Sequence, residues 1–139
     1  MNWPQYATGV QILLGDWVRV YVPRLGVWHH GIVRGLYYVP YGIAVQIVHN
    51  DKHRGVSVID WHDFADGNVI LLHQRPGQEH AQAVVTRAVA NIGKPYHFFA
   101  QNCEHFASFA FTGEAKSESM RALGTIAAVV VILGLFGAD

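Results

Sequence analysis

The sequence predicts an α+β fold, a largely antiparallel sheet packed on one or two helices. Three observations predict it. Residues 17–22 alternate, with Val18, Val20 and Val22 set against Trp17, Arg19 and Tyr21, which is strand periodicity. Ala81, Val84, Val85, Ala88, Val89 and Ile92 recur at the spacing of a single helix face. The strand-like segments come first and the helical ones after them, rather than in alternation.

Taken in order, Pro23 and Gly26 bracket a turn after the first strand. Residues 28–34 read as a second strand, the β-branched run 43–48 as a third and 55–59 as a fourth. Asp60 then suits the N-cap of a short helical turn through Phe64, ended by Asp66-Gly67. Residues 69–72 form a further short strand. The long helix spans 79–92, with Gly93 at its end and Pro95 blocking continuation. A second helix starts at Asn102, a good N-cap residue. Its Phe106, Phe109 and Ala110 share a face, and Gly113 ends it.

The chain has 139 residues, enough for one domain with a real core. Ten basic residues balance ten acidic ones, and no run of like charge marks a nucleic-acid surface. The single cysteine excludes an internal disulfide and a four-cysteine zinc site, and it fits a reducing compartment. Residues 1–17 lack the basic and long apolar regions of a signal peptide.

The chemistry concentrates in Asn102-Cys103-Glu104-His105-Phe106. With Asn102 as cap, Cys103 takes the first helical position, where unpaired N–H groups and the helix dipole favour negative charge. A free thiol, with a pKa of roughly 8.5, is activated by such a helix start and a nearby imidazole. The same N–H groups can hold an oxyanion. The plain alternative is a buried, unreactive thiol. A base is sought among nine histidines. His29 and His30 point to opposite faces of their strand, so only one of them faces Cys103 comfortably. His49 can orient the first. His53, His62, His73, His80 and His97 read as surface or loop residues, and His105 as structural.

The stretch from His29 to Gly35, the later Val48-His49 and the Asn102 to Phe106 segment together resemble the lecithin–retinol acyltransferase-like family. Gly15-Asp16, and Tyr96 six residues before Asn102, agree with it. The resemblance implies a circularly permuted papain-like fold over roughly residues 15–113. It implies Cys103 as nucleophile, His29 as base and His49 as its orienting partner, with Asn102, Glu104, His30 and Tyr96 in support or oxyanion binding. No cofactor and no metal follow from it. The expected reaction is acyl transfer or hydrolysis on a phospholipid or other acyl donor at a membrane, through an acyl-thioester. Two departures stand out. His29 and His49 are 20 residues apart, with a Tyr-rich insert at 36–43, and Val33 stands where tyrosine is frequent.

Residues 122–138 carry no charge, and nine of them are Leu, Ile, Val or Phe. A helix of this length spans about 25 Å against a hydrocarbon core of roughly 30 Å. The expected organisation is therefore a 1–14 extension, a 15–113 catalytic domain, a 114–121 linker and a 122–138 transmembrane anchor. Lys116 and Arg121 would keep the catalytic domain on the cytoplasmic side. Three other functions stay open: a thiol peptidase or amidase, a non-catalytic membrane module, and a zinc site using His29, His30, His49 or His53.

Overall fold

A computed structural model describes residues 3–99 and 103–114. Five strands form one antiparallel sheet: β1 (Trp17–Val22), β2 (Val27–Val39), β3 (Gly42–Asp51), β4 (Gly55–Asp60) and β5 (Ile70–Gln74), in the order β4-β3-β2-β1-β5. A short helix α1 (Trp61–Ala65) follows β4. Helix α2 (Ala81–Ala90), a 3₁₀ turn (Tyr96–Phe99) and helix α3 (Cys103–Thr112) follow β5. The predicted α+β class is what the chain adopts.

Strand alternation gives the sheet two buried faces. On one, Trp17, Ile32, Val48 and Val56 pack against Val84 and Ala88 of α2 and Phe106, Ala107 and Ala110 of α3. On the other, Val18, Val20, Val33, Ile47 and Ile70 meet Phe64 of α1. Tyr6 and Ile12 join this second face, so residues from the predicted N-terminal extension are part of the core.

Several boundaries differ from the sequence reading. The 36–43 insert lengthens the β2–β3 hairpin, pairing Leu36 with Val45 and Val39 with Gly42. Its tip leaves Tyr38 and Tyr41 in solvent. Helix α2 stops at Ala90, so Ile92 lies beyond it and is exposed, as is Val89. Asp60 sits at the N-cap position of α1 but makes no side-chain capping bond. The predicted cap Asn102 and the predicted anchor 122–138 lie outside the described residues. Among the described residues no helix is long and apolar enough to cross a membrane.

The loop after α2 is pinned to β4. Gly93 N–H donates to Val56 O at 2.9 Å, and Val56 N–H to Lys94 O at 2.9 Å. Gly55 has a φ of +73°, and a Cβ there would run into the Lys94 carbonyl, so glycine is required. Asn50, fully buried on β3, donates from Nδ2 to Tyr96 O at 2.9 Å. These contacts fix the chain at Gly93, Lys94 and Tyr96, ahead of Cys103.

Candidate active site

The site forms where one ladder ends. β2 pairs with β1 along Val27 to Ile32, but its pairing with β3 begins only at Gly31 opposite His49. The first residue of α3 fills part of the vacant edge. The Cys103 thiol lies 3.7 Å from Trp28 O, and the His30 N–H faces its sulfur. The sulfur therefore touches the backbone on both sides of His29.

On the α1 face of the sheet, His29 Nε2 and His49 Nδ1 are 2.7 Å apart, one donating to the other. Phe64 lies against both rings, with centroids 5.1 Å from His29 and 6.0 Å from His49. Gly31 makes this arrangement possible. A Cβ at residue 31 would collide with Ile47 Cγ2 and come within 3.1 Å of Phe64. Burial lowers the His29 pKa below its usual value, partly countered by Asp51. Burial, then the His29 charge, takes His49 down to about 4.

The opposite face presents His30. Trp17 Nε1–H donates to His30 Nδ1 at 2.8 Å. Burial, reinforced by His73, Arg19 and His29, takes the His30 pKa down to about 4, so the ring is neutral near pH 7. Indole can only donate, so the remaining ring proton sits on Nε2. His30 thus has no lone pair left to act as a base. Here strand parity separates the two histidines, as the sequence suggested, and the tautomer assigns them different capacities.

Cys103 opens onto a cavity of about 510 Å³ lined by Trp28, His30, His73, Tyr96, Glu104 and Arg19 among others. Burial pushes the thiol pKa up. The N–H groups of His30, Cys103 and Glu104 oppose that shift without overcoming it. This corrects the expectation of a thiolate held ionised by the helix start, because desolvating a charge costs more than three amides return. Thiol and imidazoles are all neutral at rest. Among the described residues no histidine ring nitrogen hydrogen-bonds the sulfur.

Of the predicted site residues, His29 and His49 are brought together, and Cys103, His30, Tyr96 and Glu104 share the cavity. Asn102 lies outside the described residues. His73, expected on the surface, instead stands in β5 with its ring 4.5 Å from Trp17 and 5.7 Å from His30. Trp17, Arg19 and His73 were missed. The signal for the first two was the odd-position face of β1. For the third it was a strand that runs through Gln74 rather than ending at Leu72. His53, His62, His80 and His97 are exposed. Among the described residues no three metal-binding side chains converge.

A family model described as lecithin retinol acyltransferase matches residues 11–116. The chain belongs to that family. No curated protein matches it. Membership places the chain among acyltransferase-type thiol proteins, and the lecithin retinol acyltransferase match takes in every element of the sheet as well as Cys103.

The buried imidazoles give this family member a definite acid response. His30 and His49 each have a folded-state pKa near 4 against about 6.5 when unfolded. The unfolded chain therefore binds more protons below pH 6.5. The stability these residues contribute is complete above that pH and is lost as pH falls from 6.5 towards 4. Urea denaturation at pH 7.0 and pH 4.5 is expected to differ by about 3–5 kcal/mol. His49→Gln should flatten part of the slope, whereas equal stability at the two pH values would mean that neither ring is buried neutral.

Proposed function

We propose that this chain is a thiol-dependent acyltransferase or hydrolase acting on ester bonds of membrane lipids through an acyl-thioester on Cys103. One observation carries the reading: the sulfur lies against the backbone flanking His29, whose ring is held by His49.

The mechanism follows from the protonation states. In the tautomer this reading requires, His29 Nε2–H donates to His49 Nδ1 across the 2.7 Å contact, which leaves His29 Nδ1 with a lone pair. In this structure the His29 ring stands off the sulfur, against His49 and Phe64; in this reading it closes on the thiol when substrate binds, and its Nδ1 takes the thiol proton as the sulfur attacks the ester carbonyl, so charge appears only as the bond forms. The N–H groups of Cys103 and Glu104 that face the sulfur are on hand for the oxyanion. Collapse of the tetrahedral intermediate expels the alcohol, which takes the proton from His29. Water or another nucleophile then attacks the thioester, with His29 again accepting its proton, and the free thiol is restored. His49 keeps the His29 ring in the productive tautomer.

A thiol amidase would use the same steps. The cavity wall favours lipid: Val27 and Trp28 are exposed on it, and Leu25 on the adjoining turn is 64% exposed. The uncharged run at 122–138 supports attachment to the same membrane, with the catalytic domain on the cytoplasmic side.

His29→Asn tests the assignment of the base. With phospholipid vesicles, the rate of acyl-enzyme formation, followed by intact-protein mass, should fall at least about 100-fold. An unchanged rate would remove His29 from the mechanism. An adduct formed from peptide amides and not from phospholipid would move the protein to the amidase class.

A further inference from the structure

Arg19 stands on the wall of the Cys103 cavity and has no role in the steps above. Its guanidinium lies over the Trp28 ring, 4.2 Å from the centroid, which fixes the plane of the fork. Its Nε is buried and has no hydrogen-bond partner among the described residues. Arg19 as a whole is partly exposed, but its buried Nε–H has no partner among the described residues, and such a donor is costly unless an acceptor arrives. Nearby, His30 carries a proton on Nε2 that makes no hydrogen bond among the described residues, its Nδ1 being occupied by Trp17. One cavity therefore holds a fixed cation, a neutral N–H donor and the nucleophilic sulfur. Two aromatic rings, Trp28 and Tyr96, add apolar surface.

We propose that this cavity is an oxyanion-group subsite, in which Arg19, assisted by His30 Nε2–H, binds the phosphate or carboxylate of the acyl donor beside Cys103. It rests on the acyl-transfer reading only in calling the ligand a donor. Guanidinium selects such groups because its parallel N–H bonds match two oxygens of a phosphate or carboxylate. The Glu104 carboxylate lines the same cavity and opposes a ligand placed on its side, so the anion belongs at the Arg19 end. The odd-position face of β1 is otherwise aromatic, with Trp17 and Tyr21 on either side of Arg19, so Arg19 is the charge that this face of the strand presents.

The test uses Cys103 as the reporter and needs no turnover. Alkylation by iodoacetate and by iodoacetamide is measured at pH 8.5 on the full chain by intact mass. The two reagents differ in the carboxylate, so their rate ratio cancels changes in thiol ionisation. Arg19→Gln should lower the iodoacetate-to-iodoacetamide ratio at least fivefold, and Arg19→Lys should lower it less. In the unaltered protein, inorganic phosphate or dimethyl phosphate should slow iodoacetamide at least threefold, and neutral trimethyl phosphate should not. Slowing by both anions assigns the site to any small phosphate. Slowing by the diester alone assigns it to a lipid headgroup. An unchanged ratio in Arg19→Gln, no slowing by either anion, or equal slowing by trimethyl phosphate overturns the proposal. If Arg19→Gln does not fold, the Arg19→Lys ratio and the phosphate series decide. Arg19-dependent protection without any acyl-enzyme from lipid would sink the acyl-transfer reading and leave the subsite standing.

Discussion

Replacing Cys103 with serine is expected to abolish the acyl-enzyme mass and lower kcat/KM on phospholipid by about 10⁴-fold. The reasoning starts from the resting protonation state. Sulfur and imidazole are both neutral, because burial raises the thiol and lowers His29. The proton must then move during attack, and the driving force is set by the gap between nucleophile and base. A thiol lies a few units above imidazole. A hydroxyl lies far higher, so the same base that suffices for sulfur fails for oxygen. The loss is not structural. Cys103 is only partly buried at the start of α3, while the packing of that helix rests on Phe106, Ala107 and Ala110. Cys103→Ala should therefore unfold within about 1 kcal/mol of the parent in urea. A serine variant retaining full activity on lipid vesicles would show that the sulfur is a bystander.

Much of this site was legible because it depends on short-range pattern. Asn102 to Phe106 marked a thiol at a helix start, and period-two alternation showed that His29 and His30 must face opposite sides. The pairing of His29 with His49 needed more than their spacing, since the hairpin between them is set by the 36–43 insert. Its physical cause is in register: Gly31 opposite His49 lets Phe64 close beneath both rings. What pattern alone could not supply was the balance of desolvation against hydrogen bonding at Cys103. A helix start argues for a lowered thiol pKa, and only the packing around the sulfur reveals that burial wins. Arg19 and His73 escaped for a related reason. Each is a single polar residue in a strand, and its partners come from other strands far along the chain.

Asp16 connects that architecture to stability. Its carboxylate is fully buried at the start of β1 and accepts from Tyr6 OH at 2.7 Å, Leu13 N–H at 3.0 Å and Arg75 Nε and Nη2, both at 2.8 Å. The Tyr6 pKa is raised, first by burial and then by this bond, so the phenol stays a donor. Arg75 also reaches Gln11 O at 2.6 Å, so one ion pair holds residues 3–14 against the sheet. Asp16→Ala removes the acceptor of four bonds at once. Arg75, one-third exposed, can turn to water, but the Tyr6 hydroxyl and Leu13 N–H are left without a partner. A loss of about 3–5 kcal/mol is expected, the cost of breaking a buried pair from one side. The strand start should loosen with it, because Gly15 and Asp16 backbone groups bond Val33 at 2.9 Å and set the β1–β2 register that brings Trp17 to His30. Urea denaturation gives the magnitude. Limited proteolysis should cut first within residues 3–15, where the parent resists. An Asp16→Ala protein within about 0.5 kcal/mol of the parent would mean that the segment is held by Tyr6 and Ile12 packing alone. Asp16→Asn separates charge from shape: one amide oxygen still accepts, so the loss should be intermediate, and parity with alanine would assign the whole effect to the carboxylate charge facing Arg75.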